Sequence, residues 1–211
     1  MQYDDPRIKI VRDKINNFCI VRVPAGSKEL PAIDGKGYYT WQFYLRRVLL
    51  DAFSLQVICD DFWQKYGELY KQQRFQLAGV ESAAVPLITA LIMDGARKGF
   101  EPNAFTIRKT QKEYGLRNII EGSPTTDPVF FIDDLTSPQH NAFWHATSAI
   151  RQISLGFLGR AYVLIFKGNA NDDRTINTSL GAVNIDSLFT VSDFSMSIEQ
   201  YRNELASLDK M

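Results

Sequence analysis

From Phe75 onward, short apolar runs alternate with stretches of helical periodicity, and this alternation constrains the fold more than any other feature of the chain. Phe75 to Ala78 reads as a short strand. Ala83 to Lys98 follows as a helix, apolar nearly all round, with Pro86 tolerated in the first turn, where its missing amide costs no hydrogen bond. Ala104 to Arg108 is another strand, and Val129 to Ile132 is a continuous apolar run of the kind buried on both faces. A helix from Asn141 to Gln152 and a strand from Ala161 to Phe166 complete the series. The pattern predicts an α/β domain with a mostly parallel central sheet, flanked by helices and joined by right-handed crossovers.

The chain before Phe75 lacks this alternation. Asn17 to Val23 reads as a strand stopped by Pro24 and Gly26, and Gly35 and Gly37 frame a turn before a second strand candidate, Tyr38 to Tyr44. Leu55, Ile58, Phe62, Tyr66 and Leu69 predict an amphipathic helix over Ser54 to Lys71, weakened locally by Gly67. We expect one domain over residues 1–211: a core of roughly 54–166 and a small hood formed by roughly 1–50 with the C-terminal segment. Lys167 to Ser179 reads as a polar loop. Ser197 and Gln200 have capping-box spacing before a last helix with Ile198, Tyr201, Leu205 and Leu208 on one face.

Composition narrows the function. Twenty-four basic and 24 acidic residues cancel, so no long-range field draws nucleic acid or an anionic membrane to the chain. Met1 to Asp13 lacks the apolar run of a signal peptide, and Ala83 to Met93 is too short to cross a bilayer. The two cysteines, Cys19 and Cys59, lie in apolar stretches; reduced core thiols in a cytoplasmic protein are expected.

Three predicted strand ends carry groups able to do chemistry, and open parallel sheets bind ligands beyond those ends. Ala78-Gly79-Val80-Glu81-Ser82 offers a glycine that would let backbone approach a ligand. Arg108, Lys109, Lys112 and Arg117 form a basic cluster around Gly115, which could close over a polyphosphate or serve as a solvated surface loop. Asp133 and Asp134 follow the buried strand; they could hold ribose hydroxyls or help bind magnesium, or simply make a turn and helix cap. His140 and His145 are five positions apart, which does not suit a shared metal on one helical face. A phosphate-binding GxGxxG or GxxxxGK[ST] sequence is absent.

In order and spacing, these pieces resemble the type I phosphoribosyltransferases, and among them the orotate phosphoribosyltransferases, from about Asp34 to Asp193. Gly35-Lys36-Gly37-Tyr38-Tyr39 and Tyr44-Leu45-Arg46-Arg47 resemble the base-reading segment. Gly79 to Leu87 resembles the glycine-containing loop and helix, and Ile107 to Gly115 with Ile120-Glu121-Gly122 resembles the mobile catalytic loop. Asp133-Asp134 resembles the acidic pair that binds phosphoribosyl pyrophosphate, and Ser187 to Thr190 the C-terminal segment.

The resemblance implies displacement of magnesium pyrophosphate from C1 of ribose by a nitrogen of a pyrimidine-like base. It implies that Arg108, Lys109 and Lys112 hold pyrophosphate, that Asp133 and Asp134 hold ribose hydroxyls, and that Lys109, Lys112 and the acidic pair form the catalytic group. Lys36, Tyr38, Tyr39 and Lys167 would meet the base. Magnesium would arrive with phosphoribosyl pyrophosphate and without direct protein ligation. The resemblance also implies a homodimer and a loop, Lys109 to Gly122, that moves in the absence of ligand. The chain departs from the family at three places: Leu135-Thr136-Ser137-Pro138-Gln139-His140-Asn141 replaces a Thr- and Gly-rich phosphate loop, Tyr114 replaces a histidine, and Lys167 stands where an arginine is expected. Ser137 and Asn141 are then the expected remaining donors to a 5′-phosphate. A catalytically inactive relative, acting as a nucleotide-sensing regulator or with a protein partner, is the alternative reading.

Overall fold

The computed structural model describes residues 5–22, 30–31, 38–39, 41–109, 119–137, 142–168 and 171–194. The chain opens with helix α1 (Pro6–Lys14), which runs into a π-helical turn, Ile15–Cys19, and only then into a short strand, β1 (Ile20–Arg22). Of the strand expected over Asn17 to Val23, Asn17 to Cys19 are π-helical and Ile20 to Arg22 form β1, while Val23 lies outside the described residues. Asp5 caps α1 by accepting from the Arg7 amide at 2.8 Å, Pro6 takes the first helical position, and Ile8, Val11 and Ile15 point into the core. Strands β2 (Leu30–Pro31) and β3 (Tyr38–Tyr39) pair with each other, and β4 (Trp41–Phe43) pairs antiparallel with β1. These small sheets stand apart from the main one.

A short helix, α2 (Arg46–Leu49), leads to α3 (Ala52–Gln72), whose first turn is held by Asp51 accepting from Ser54. Helix α3 runs unbroken through Gly67 because the Phe100 ring lies against it. A Cβ there would stand 2.7 Å from Phe100 Cζ, so the helix gives up propensity to gain close packing. Alternation then begins: β5 (Gln76–Val80), α4 (Val85–Arg97), β6 (Ala104–Ile107), β7 (Ile120–Gly122), β8 (Val129–Thr136), α5 (Ala142–Gln152), β9 (Phe157–Phe166), β10 (Thr175–Thr178) and β11 (Gly181–Thr190).

The main sheet has the order β10-β11-β9-β8-β5-β6-β7. Its inner strands β11, β9, β8, β5 and β6 are parallel, while β10 and β7 are antiparallel edges. This is the predicted α/β architecture, with Val129 to Ile132 in the interior of the sheet. Short edge strands arise inside the expected mobile loop (β7) and the expected polar loop (β10), because each pairs locally with a neighbour and buries little apolar surface of its own.

Two apolar layers cover the sheet. On one face, α1, α3 and α4 pack over Leu77, Phe130, Ile132, Tyr162 and Leu164. There Phe62 stands edge-on to Trp63, Phe130 and Tyr162, with centroids 5.0–5.5 Å apart, contacts worth about 0.5–1.5 kcal/mol each beyond their buried area. On the other face, Phe143, Ala146 and Ile150 of α5 cover Phe131, Val163 and Ile185. Cys19 and Cys59 are free and buried, as expected, and burial pushes the Cys59 thiol up to about 12. Among the described residues, no helix is long and apolar enough to cross a membrane. The C-terminal helix expected around Ser197 to Leu208 lies outside the described residues.

Candidate active site

From β5 the chain moves to β6 on one side and then to β8 on the other, so the order reverses between β5 and β8. A crevice opens at the carboxyl ends of strands where such a reversal occurs. The register shows it forming: the β5–β8 ladder ends at Ala78↔Phe131, whereas β8 continues along β9 as far as Thr136↔Phe166. Beyond Phe131, β8 no longer pairs with β5, although the two backbones remain close at Gly79 and Ile132.

Asp133 and Asp134 occupy this segment. They lie inside β8 and pair with β9 through Asp133↔Val163, which corrects the expectation that the strand stops at Ile132 and removes the turn-and-cap reading. Asp133 is buried, and its Oδ1 accepts from the Asp134 amide at 2.9 Å. Burial raises the Asp133 carboxyl well above the usual carboxylate range, and the neighbouring Asp134 charge raises it further. Burial also raises Asp134, against hydrogen bonds that favour its charged form. Two basic groups face the pair: Lys109, past the end of β6, favours the charged form of Asp133, and Lys167, past the end of β9, does so for Asp134. Lys167 is itself half-buried, and burial holds its amine below the ordinary lysine value despite Asp134.

Close packing shapes the floor of the crevice. A Cβ on Gly79 would stand 2.4 Å from the Ile132 carbonyl oxygen and 2.5 Å from Ala84 Cβ. Gly79 is thus required by the approach of β5 to β8 and to the start of α4. After β5 the chain turns through a cis peptide between Glu81 and Ser82.

Arg108, directly after β6, is held by two carboxylates. Its Nε and Nη2 donate to Glu121 at 2.7 and 2.6 Å, and its Nη1 lies 3.4 Å from Glu81. Its carbonyl meets His145 Nε2 at 2.6 Å, giving that histidine a positioning contact at the rim. Ser137 follows β8 and is half-buried, and Thr136 Oγ1 is buried without a hydrogen-bond partner among the described residues.

The structure therefore brings together Arg108, Lys109, Asp133, Asp134, Ser137 and Lys167 at neighbouring strand ends. Tyr38 and Tyr39 lie on the backbone of β3, while Lys36, Lys112, Asn141 and His140 lie outside the described residues, as does the 110–118 part of the expected mobile loop. Three further residues have contacts here that no sequence pattern reports: Glu81, Glu121 and Arg46 stand in the sequence only as members of longer motifs, and Arg46 sends Nη2 to Ser82 Oγ at 2.5 Å across 36 positions of sequence, a separation that no local pattern reveals.

Among the described residues, no cluster of three or more His, Cys, Asp or Glu could hold a metal. Magnesium usually retains several waters and takes one or two carboxylates plus substrate phosphates. The acidic pair fits an ion delivered by a diphosphate, with half-buried Asp134 as the member available to face it.

No family model and no curated protein matches the chain. Solved structures do. Mycobacterium tuberculosis orotate phosphoribosyltransferase aligns with a TM-score of 0.64 at 18% identity, over 90% of this chain and 100% of that one. The same enzyme in complex with 5-phospho-alpha-D-ribosyl 1-diphosphate aligns at 0.58 and 16% identity, over 92% and 94% of the two chains. Trypanosoma brucei adenine phosphoribosyl transferase, in complex with AMP, pyrophosphate and ribose-5-phosphate, aligns at 0.59 and 14% identity, over 92% and 83%. The strand order, the antiparallel edges and this likeness agree: the chain has the type I phosphoribosyltransferase fold.

Proposed function

We propose that the protein is a divergent phosphoribosyltransferase that transfers phosphoribose from phosphoribosyl pyrophosphate to a pyrimidine-like base. The observation that carries this reading is the acidic pair at the end of β8, buried Asp133 and half-buried Asp134, faced by Lys109 and Lys167. Carboxylates at that position can accept from vicinal ribose hydroxyls, and the surrounding cations suit a substrate rich in phosphate. In the reaction a base nitrogen forms a bond to C1 of the ribose, the C1–oxygen bond to diphosphate breaks, and the nitrogen's proton passes to solvent. The sugar becomes cation-like on the way, so the protein's contribution is orientation and electrostatic stabilisation. Solved neighbours include enzymes named for orotate and for adenine, so the choice of a pyrimidine-like base rests on the resemblance of Lys36, Tyr38 and Tyr39 to a base-reading segment.

On this reading, magnesium accompanies phosphoribosyl pyrophosphate, the protein works as a cytoplasmic homodimer, and Ser137 with Asn141 receives the 5′-phosphate. Titration calorimetry of the full chain with phosphoribosyl pyrophosphate and magnesium tests it, followed by a pyrophosphate-release assay over a panel of pyrimidines and purines. Binding that disappears in the Asp133→Asn, Asp134→Asn double variant supports the transferase. No binding at millimolar ligand overturns it. The second reading, an inactive relative that senses nucleotides or works with a protein partner, is favoured by Arg108 being already neutralised by Glu81 and Glu121. It predicts nucleotide binding without pyrophosphate release.

A further inference from the structure

We propose that Arg46, a residue of the N-terminal part of the chain, supplies the guanidinium that meets the diphosphate of the substrate, in place of Arg108. This inference rests on the transferase reading and identifies how the site obtains a guanidinium that Arg108, held by two carboxylates, does not offer.

Arg108 stands where a diphosphate ligand of the transferase type would be expected, yet its donors are committed. Its Nε and Nη2 go to Glu121 and its Nη1 faces Glu81, so three of its N–H directions end on carboxylates and one cation stands against two anions. An incoming diphosphate would have to displace both carboxylates and accept their repulsion.

Arg46 has the opposite environment. It is the first residue of α2, it is exposed, and among the described residues it makes no ion pair. Its one described side-chain hydrogen bond is from Nη2 to Ser82 Oγ. Ser82 directly follows Glu81, so the two guanidiniums converge on adjacent residues of the turn leaving β5, at the mouth of the crevice. One is neutralised and the other retains Nη1 and Nε to donate. Planar donors of this kind suit paired phosphate oxygens. The Ser82 contact holds the head of a long side chain at the rim, which reduces the rotamer entropy lost when a ligand arrives.

The test is titration calorimetry on the full chain with two probes, each with magnesium: phosphoribosyl pyrophosphate and inorganic pyrophosphate. Ribose 5-phosphate serves as a ligand lacking the diphosphate. The Arg46→Ala variant is expected to weaken both probes at least tenfold, more than Arg108→Ala does, with ribose 5-phosphate affinity within threefold of wild type. Arg46→Lys, which keeps the charge and loses the fork, should fall between. Circular dichroism and the melting midpoint confirm that each variant is folded. If wild type binds phosphoribosyl pyrophosphate but Arg46→Ala binds both probes within threefold of it, the inference is overturned and the transferase reading stands. If wild type binds neither probe at millimolar concentration, the transferase reading fails and takes this inference with it.

Discussion

Asp61 on α3 and Asp133 near the end of β8 are buried to nearly the same degree, 5% and 6% exposed, but their surroundings differ. Asp61 accepts from the Tyr162 hydroxyl at 2.8 Å and from Lys65 Nζ at 2.9 Å, in the middle of an aromatic layer. Asp133 receives the amide of Asp134 and has a second carboxylate as its neighbour, with Lys109 as an exposed counter-charge. A buried charge with matched donors ties elements together. A buried charge beside a like charge stores an unfavourable interaction that a ligand's hydroxyls and cations can relieve. The first arrangement belongs to the scaffold and the second to the candidate site.

The largest effect separating them is on stability. Asp61→Ala leaves the Tyr162 hydroxyl and Lys65 without their acceptor and should cost about 3 kcal/mol in urea unfolding, in the range for breaking a buried pair. A loss below about 1 kcal/mol, the net worth of an ordinary hydrogen bond, would mean that Asp61 holds nothing together. Asp133→Asn should do the reverse. It keeps an acceptor for the Asp134 amide and removes the like charge, so the melting midpoint should rise by about 2–4 °C, the shift expected for about 1 kcal/mol in a chain of this size. Phosphoribosyl pyrophosphate binding should fall at least tenfold in the same protein. A lower midpoint would erase the contrast with Asp61.

The pH dependence sharpens it further. Asp133 and Asp134 hold protons in the folded state at pH values where the unfolded chain, with carboxyls near 3.8, has released them. The unfolded state is favoured progressively as pH rises from that value to the folded ones, so wild-type stability falls across that window and the cost is complete above it. The advantage of Asp133→Asn should therefore vanish below about pH 4, the unfolded carboxyl value, and grow as pH rises, as read from melting midpoints. Lys167 has the opposite slope: its folded amine releases its proton below the ordinary lysine value of 10.5, so its contribution rises as pH climbs toward that value. The smallest effect belongs to the scaffold. Tyr66→Phe removes the hydroxyl that donates to Asp186 and should cost about 1 kcal/mol, because half-buried Asp186 can recover part of its solvation.

Much of this was legible in the sequence where burial is two-sided. Val129 to Ile132 and Ala161 to Phe166 are continuous apolar runs because helices cover both faces, and Leu55 to Leu69 repeats at helical spacing because one face of α3 is buried. Pieces that bury little carry no such pattern. Helix α1 exposes its charged residues and commits only Ile8 and Val11, while β7 and β10 are edge strands of a few residues. The acidic pair was found, but its setting was not: nothing in Ile132-Asp133-Asp134 reports that the strand continues to Thr136 after leaving β5. The engagement of Arg108 by Glu81 and Glu121, and the reach of Arg46 to Ser82, depend on tertiary packing across 27, 13 and 36 positions.

The pairing of β6 with β7 sets a leash length. Ile107 pairs with Ile120, and the Arg108 amide donates to the Ile119 carbonyl at 2.8 Å, so the segment between them leaves and returns at one point beside the crevice. Nine residues, 110–118, lie between the last described positions on either side. An excursion out and back over that length extends at most about 17 Å from its base, at about 3.3–3.6 Å per residue. Lys112, three residues beyond Lys109, is confined to a radius of about 11 Å plus its own side chain. Whatever this segment touches, in its own crevice or in that of a second copy, must lie within about 17 Å plus one side chain of that base, and lengthening it by inserted glycines would enlarge this reach without altering a single residue of the sheet.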